Sequence, residues 1–210
     1  NVTSVHFEWL LNTEHGADYF RRWHREKRNS GGLLVHKSTH HFDLMNFWLN
    51  SYPERVYAEG ALRFYGKENA EKRGVTQFYP RAHGYAAAKD DPFALHMEDN
   101  PQLKAIYLDA EHEDNYWRDQ SVFSDGITIE DTLSVLVKYQ NQCQLSYSLN
   151  TYLPWEGLNV VFNGSLGRME MKIVEKSYVN AGGERANEGS LESCNITVFP
   201  MLAEPWQADF

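Results

Sequence analysis

Two runs of strict alternation constrain this chain's fold more than any other feature. In residues 127–139, Ile127, Ile129, Leu133, Val135, Val137 and Tyr139 fall on one face, and Thr128, Glu130, Thr132, Ser134 and Lys138 on the other. Cys143, Leu145, Tyr147 and Leu149 then alternate with Gln144, Ser146 and Ser148. Successive side chains of a strand point to opposite faces, so each run reads as a strand buried on one side. The short polar linker Gln140-Asn141-Gln142 makes the pair an antiparallel hairpin. The same pattern appears at the start, where Val5, Phe7 and Trp9 alternate with Ser4, His6 and Glu8. Further strands are expected at 55–65, at 158–163 and 168–174 around Gly164-Ser165-Leu166-Gly167, and at 195–202.

Helical patterning is confined to the first quarter. Residues 14–28 place Ala17, Phe20 and Trp23 on one stripe and end in a basic turn, and Asn29-Ser30-Gly31-Gly32 stops that helix. A second helix is expected from Leu33 or Leu34 to Leu49, with Pro53 beyond its end. Residues 66–125 lack clear periodicity and contain Pro80, Pro92 and Pro101, so they read as a long functional loop or lid with short helical turns. The expected fold is α+β: a mostly antiparallel open sheet with helices on one face, forming a single substrate-binding and oligomerisation domain over 1–210 with 66–125 as a loop-rich insertion.

A formal net charge of −9 argues against nucleic acid or an anionic membrane surface as partner, because such a surface repels phosphate. Hydrophobic residues at 42% fit a soluble globular chain, and no apolar run approaches the ~20 residues that span a bilayer. The compartment, cytoplasmic or periplasmic, is not legible. Cys143 and Cys194 provide neither a metal spacing nor a disulfide framework. The chain reads as strand from its second residue, so further sequence is expected upstream of Asn1.

The chemistry concentrates in Gly31-Gly32-Leu33-Leu34-Val35-His36-Lys37-Ser38-Thr39-His40-His41-Phe42-Asp43. On a continuous helix His36, His40 and Asp43 share one face, flanked by Lys37 and His41. The positive end of a helix dipole lowers a nearby imidazole pKa and keeps it able to accept a proton. Histidines at i and i+4 are also a common metal pair. Against that second reading, no glutamate follows His36 in the protease pattern, and Lys37 is a poor neighbour for a cation.

These residues resemble the catalytic-helix motif of the Gfo/Idh/MocA oxidoreductases: a glycine pair, a small apolar run, Asp, His four residues on, and Asp three beyond. By that resemblance His40 stands at the catalytic histidine and Asp43 at the trailing aspartate. His36 stands where the family carries an aspartate. Glu130-Asp131-Thr132 before the long hairpin and Gly164-Ser165-Leu166-Gly167-Arg168-Met169-Glu170 are similar to later family motifs, in the same order. The resemblance implies a C-terminal domain like that of glyceraldehyde-3-phosphate dehydrogenase. It also implies NAD or NADP held mainly by an N-terminal Rossmann domain, of which no G-x-G-x-x-G is present.

The implied activity is oxidation or reduction of a ring hydroxyl of a sugar, cyclitol or glycoside. His40, His36 and Lys37 are the expected catalytic residues. Asp43, His41, Tyr116, Trp117 and Arg118 are the expected substrate contacts. The domain by itself is expected to be inactive. Oxidation followed by elimination of a glycoside is an alternative, as is a non-catalytic dimerisation and sugar-recognition domain.

Asp131, an acid on an apolar strand face, is expected to have a structural partner. Arg118 and Asp119 read as a surface salt-bridged loop unless that loop closes over the site, and His83, Tyr85 and His96 are weaker candidates. The turn Tyr152-Leu153-Pro154-Trp155-Glu156 reads as structural. Homo-oligomerisation is expected through the sheet face opposite the helices, lined either by Val137, Tyr139, Leu145 and Tyr147 or by the alternate Thr/Ser/Gln set, which would make it wetter and weaker.

Overall fold

In the computed structural model, which describes residues 1–176 and 190–208, one eight-stranded sheet carries the molecule. Its strands are β1 Val2–Asn12, β2 Pro53–Ala61, β3 Thr132–Tyr139, β4 Gln144–Leu153, β5 Glu156–Gly164, β6 Gly167–Glu175, β7 Leu191–Pro200 and β8 Trp206–Gln207, in the order β2-β3-β4-β1-β5-β6-β7-β8. Only β1 and β4 run parallel; every other neighbouring pair is antiparallel. The expected hairpin pairs Leu133 with Leu149 and Val137 with Leu145. Gly164 and Gly167 close the β5–β6 turn, where Gly167 takes φ +153°.

Polar groups set the ends of several strands. β3 starts at Thr132 rather than 127, and β2 stops at Ala61 rather than 65. The fully buried Asp131 carboxylate accepts hydrogen bonds from the backbone N–H groups of Arg63, Phe64 and Tyr65 at 2.7–2.9 Å, and from the Thr132 hydroxyl. Those three N–H groups cannot then join a ladder, so the strand ends there. Asp131 thus has the structural partner its position required. At the other end of the chain, β8 pairs Thr197 with Gln207, a strand too short to show a period in the sequence.

Neither expected helix is continuous. The first is α1 Thr13–Arg21, a 3₁₀ turn Trp23–Arg25 and α2 Lys27–Ser30, broken where Arg22 takes an extended conformation at ψ 176°. Ala17 and Phe20 are buried as expected, but Trp23 lies beyond the break and is 43% exposed. The second is α3 Leu33–His36 and α4 Thr39–Leu49. Gly31 and Gly32, at φ +75° and +82°, turn the chain between α2 and α3. Residues 66–125 contain only short helical pieces, the longest at Lys67–Lys72 and one a π-helix at Lys104–Leu108, and a small satellite core of Tyr79, Ala82 and Ala88.

Val5, Phe7, Trp9, Val135, Val137, Tyr139, Leu145, Tyr147 and Leu149 form the main core with Ala17, Phe20, Leu33, Met45 and Leu49 of the helices. The apolar side of the hairpin therefore faces the helices. The face expected to be apolar and open is the covered one. Hydrophobic burial selects it, since only one side of the strands has enough apolar area to drive packing.

Candidate active site

The α3–α4 junction is pinned from below. The Ser38 hydroxyl, completely buried, lies 2.9 Å from the Tyr147 hydroxyl, and His41 Nδ1 lies 2.8 Å from the same oxygen. This polar knot under the helix breaks it at Lys37 and turns His41 into the core against Phe7 and Trp9. Burial, with Lys37 and His40 nearby, pushes the His41 pKa down to about 3. His41 is a neutral structural imidazole, which corrects its expected substrate contact.

His36, Lys37 and His40 face outward around the junction. His36 ends α3 and His40 lies in the first turn of α4; both are exposed. The helix break takes His36 off the face that His40 and Asp43 still share on α4. Asp43 is exposed and makes no hydrogen bond or ion pair among the described residues. The His36 pKa is lowered, first by burial and then by Arg22, Lys37 and His40. A helix N-terminus is not the cause, because His36 closes its helix.

Lys37 places Nζ 5.0 Å from the centre of the Trp9 ring, a cation–π contact at the end of β1. Its neighbourhood continues through side chains that the sequence reading did not single out. Tyr19 of α1 meets His36 edge-on at 5.7 Å and His24 at 5.7 Å, and stacks on His15 at 5.4 Å. His24 lies between Trp23, stacked at 3.7 Å, and His36 at 4.2 Å. Burial first, then Arg22 and His36, holds the His24 pKa down at about 3.

The far wall is acidic. His15 Nδ1 lies 2.6 Å from Oε1 of Glu156, which is 4% exposed. Glu175, the register partner of Glu156 across β5 and β6, has its pKa raised by burial and by Glu156, with Lys37 and His15 acting in the opposite direction. A chain of side-chain contacts thus links the end of β1, α1, the α3–α4 junction and the start of β5. Glu156 is legible in hindsight. It shares the buried face of its strand with Leu158 and Val160, the same acid-among-apolar signal that singled out Asp131. His15 lies one turn after a pattern switch from alternation to helix, with Asn12 as N-cap.

The expected contacts from the loop separate. Arg118 is 1% exposed and donates Nη2 to Asp18 at 2.6 Å, so the surface salt bridge expected there is a buried one. Asp18 also meets Arg22 at 3.0 Å, and these guanidinium groups keep its carboxyl below the usual range despite burial. Arg118 therefore braces α1 rather than lining the cleft. Trp117 is stacked by the Arg81 guanidinium at 5.0 Å in the satellite region. Tyr116 is half-buried within the electrostatic reach of Arg118, Arg22 and Asp18, close to Trp23. Among the described residues, no three histidine, cysteine or carboxylate side chains converge as a metal-ligand set.

An open, mostly antiparallel sheet with helices on one face sets the class of domain. The family model described as "Oxidoreductase family, C-terminal alpha/beta domain" matches residues 1–193. The chain belongs to the Gfo/Idh/MocA oxidoreductases, as their C-terminal domain. It is 40% identical over 187 residues to YteT of Bacillus subtilis (strain 168), an oxidoreductase by name; the match covers 80% of this chain and 41% of that protein. The chain thus spans about two-fifths of that relative's length. Among solved structures, an oxidoreductase domain protein from Kribbella flavida superimposes with TM-score 0.53 at 10% identity, over 99% of this chain and 40% of that one. An NADPH-dependent oxidoreductase, so described, from Desulfitobacterium hafniense gives 0.52 at 11%, over 100% and 42%.

Proposed function

We propose that the protein carrying this domain oxidises or reduces a ring hydroxyl of a sugar-like or cyclitol substrate with NAD or NADP. One observation carries the reading. The α3–α4 junction gathers two exposed imidazoles and a lysine beside an aromatic floor of Trp9, Tyr19 and His24, where burial lowers the His36 pKa. These side chains hold and move protons but not electrons, so they fit a surface that faces a nicotinamide. The nicotinamide, when bound, supplies the hydride chemistry. His40 takes or returns the hydroxyl proton. Lys37 and His36 stabilise negative charge developing on the oxygen, and Trp23 and Tyr19 border the ring.

The test is nicotinamide absorbance with the full-length protein, NAD⁺ or NADP⁺, and a panel of myo-inositol, glucose, galactose, xylose and rhamnose. At least one member is expected to be turned over. His40→Asn should lower kcat by ~10²–10⁴-fold, the usual cost of losing a positioned acid–base group, with cofactor affinity unchanged. If His40→Asn retains wild-type kcat while His36→Asn loses it, the base is His36. No turnover of any panel member by the wild-type protein would count against the reading.

A further inference from the structure

We propose that His15, held by Glu156, is a second substrate-recognising side chain of this cleft: its Nε2 accepts a hydrogen bond from a substrate hydroxyl other than the one that reacts. The ligand class is therefore a polyhydroxylated ring that presents two hydroxyl groups to this domain. The inference rests on the proposed function for the identity of the cleft.

Tyr19 ties His15 to the α3–α4 junction. Tyr19 stacks on His15 at 5.4 Å and meets His36 edge-on at 5.7 Å, so the two imidazole centres are at most the sum of those distances apart.

Glu156 decides which nitrogen is available. A carboxylate only accepts, so the 2.6 Å contact requires the proton on His15 Nδ1. In the neutral ring this leaves Nε2 as a lone pair. Buried carboxylates fix imidazole tautomers in this way where a ring must present one nitrogen to a ligand. Nε2 makes no hydrogen bond among the described residues, and the His15 side chain is 19% exposed. Glu156 is a positioning residue: it is 4% exposed, and among the described residues its second oxygen is buried without a partner and its one ionic contact is the ring it orients. The backbone holds His15 in place through Asn12, whose Oδ1 accepts from His15 N–H at 2.9 Å.

Two arms test this in the full-length protein. In the first, histidines are labelled with ¹⁵N, and the nitrogen shifts of His15 are assigned through loss of its signals in His15→Leu. The wild-type ring is expected in the Nδ1–H form, and Glu156→Gln should lose that single form, because an amide donates as readily as it accepts. In the second arm, kcat and KM are measured on the panel member turned over. His15→Leu should lower kcat/KM about tenfold to a hundredfold, mainly through KM, with kcat within about threefold, as expected for one lost substrate hydrogen bond. Glu156→Gln should move the same parameter in the same direction. An Nε2–H ring in the wild-type protein overturns the proposal, and so does an unchanged kcat/KM in a folded His15→Leu. A wild-type protein that turns over no panel member sinks the dehydrogenase reading alone, and His15 is then decided by the tautomer.

Discussion

Four histidines between His24 and His41 do different work, and position in the fold assigns it. His41 is sealed against Tyr147, and His24 lies under Trp23, both with pKa values near 3. His36 and His40 are exposed. The two sealed imidazoles make stability depend on pH with a definite sign. Their folded pKa values lie below the 6.5 of an unfolded chain, so below that pH the unfolded chain binds protons that the folded chain does not. Stability should fall as the pH drops from 6.5 toward about 3, at up to ~1.4 kcal/mol per pH unit for each imidazole. Thermal melts between about pH 7 and about pH 5 should show the loss. His41→Gln, which keeps an amide beside Tyr147, should flatten the slope. An unchanged slope in that variant would show that His41 is not sealed.

α1 carries Tyr19 and His15, and its distance from the sheet depends on one small residue. A Cβ at Gly16 would lie 1.7 Å from the carbonyl oxygen of Thr151 in β4, closer than any real contact. Backbone cannot yield as a flexible side chain does, so Gly16→Ala should lift α1 off β4. Destabilisation of at least ~1–3 kcal/mol is expected, as for overpacking in general. Denaturant melts measure it, and a variant as stable as wild type would contradict the close approach. The shift should also separate His15 from Glu156, which lies on the strand side of that contact. The helix break at Lys37 is likewise a matter of tertiary contact. Nothing in Val35-His36-Lys37-Ser38 forbids a continuous helix; the Ser38–Tyr147–His41 knot breaks it.

The sheet as a whole leaves one face without helices, lined by Ser4, His6, Glu8, Tyr57, Ser134, Leu136, Lys138, Ser146 and Ser148. We propose that two copies pair through this face. Its mixed polar composition makes the expected interface wetter and weaker than the apolar one anticipated from the hairpin. Such pairing should be sensitive to composition at the centre of the sheet. Leu136, 58% exposed, is the largest apolar side chain beside Ser146 there. Light scattering of the full-length protein should report a dimer, and Leu136→Glu should shift it toward monomer, as two like charges brought together across a symmetry axis repel. A wild-type monomer at high concentration would refute the pairing.

The sequence by itself determined the strands that alternate, because a period of two is a local property and survives any packing. It also determined the Gly31-Gly32 stop, and the His36–His40 cluster was visible as composition. Asp131 was legible for a similar reason: an acid on an apolar face must find donors, and three backbone N–H groups supply them. What only the tertiary structure decided is which side of the sheet the helices cover, where the helices break, and which titratable groups share a cleft. His15, Tyr19 and Glu175 lie up to 160 residues apart and meet only because β1 is inserted between β4 and β5. Arg118 read as a surface loop residue because its partner, Asp18, is 100 positions away. Local patterns record which face of an element is apolar; a cleft is made where the ends of several elements meet, and that meeting is a property of the topology.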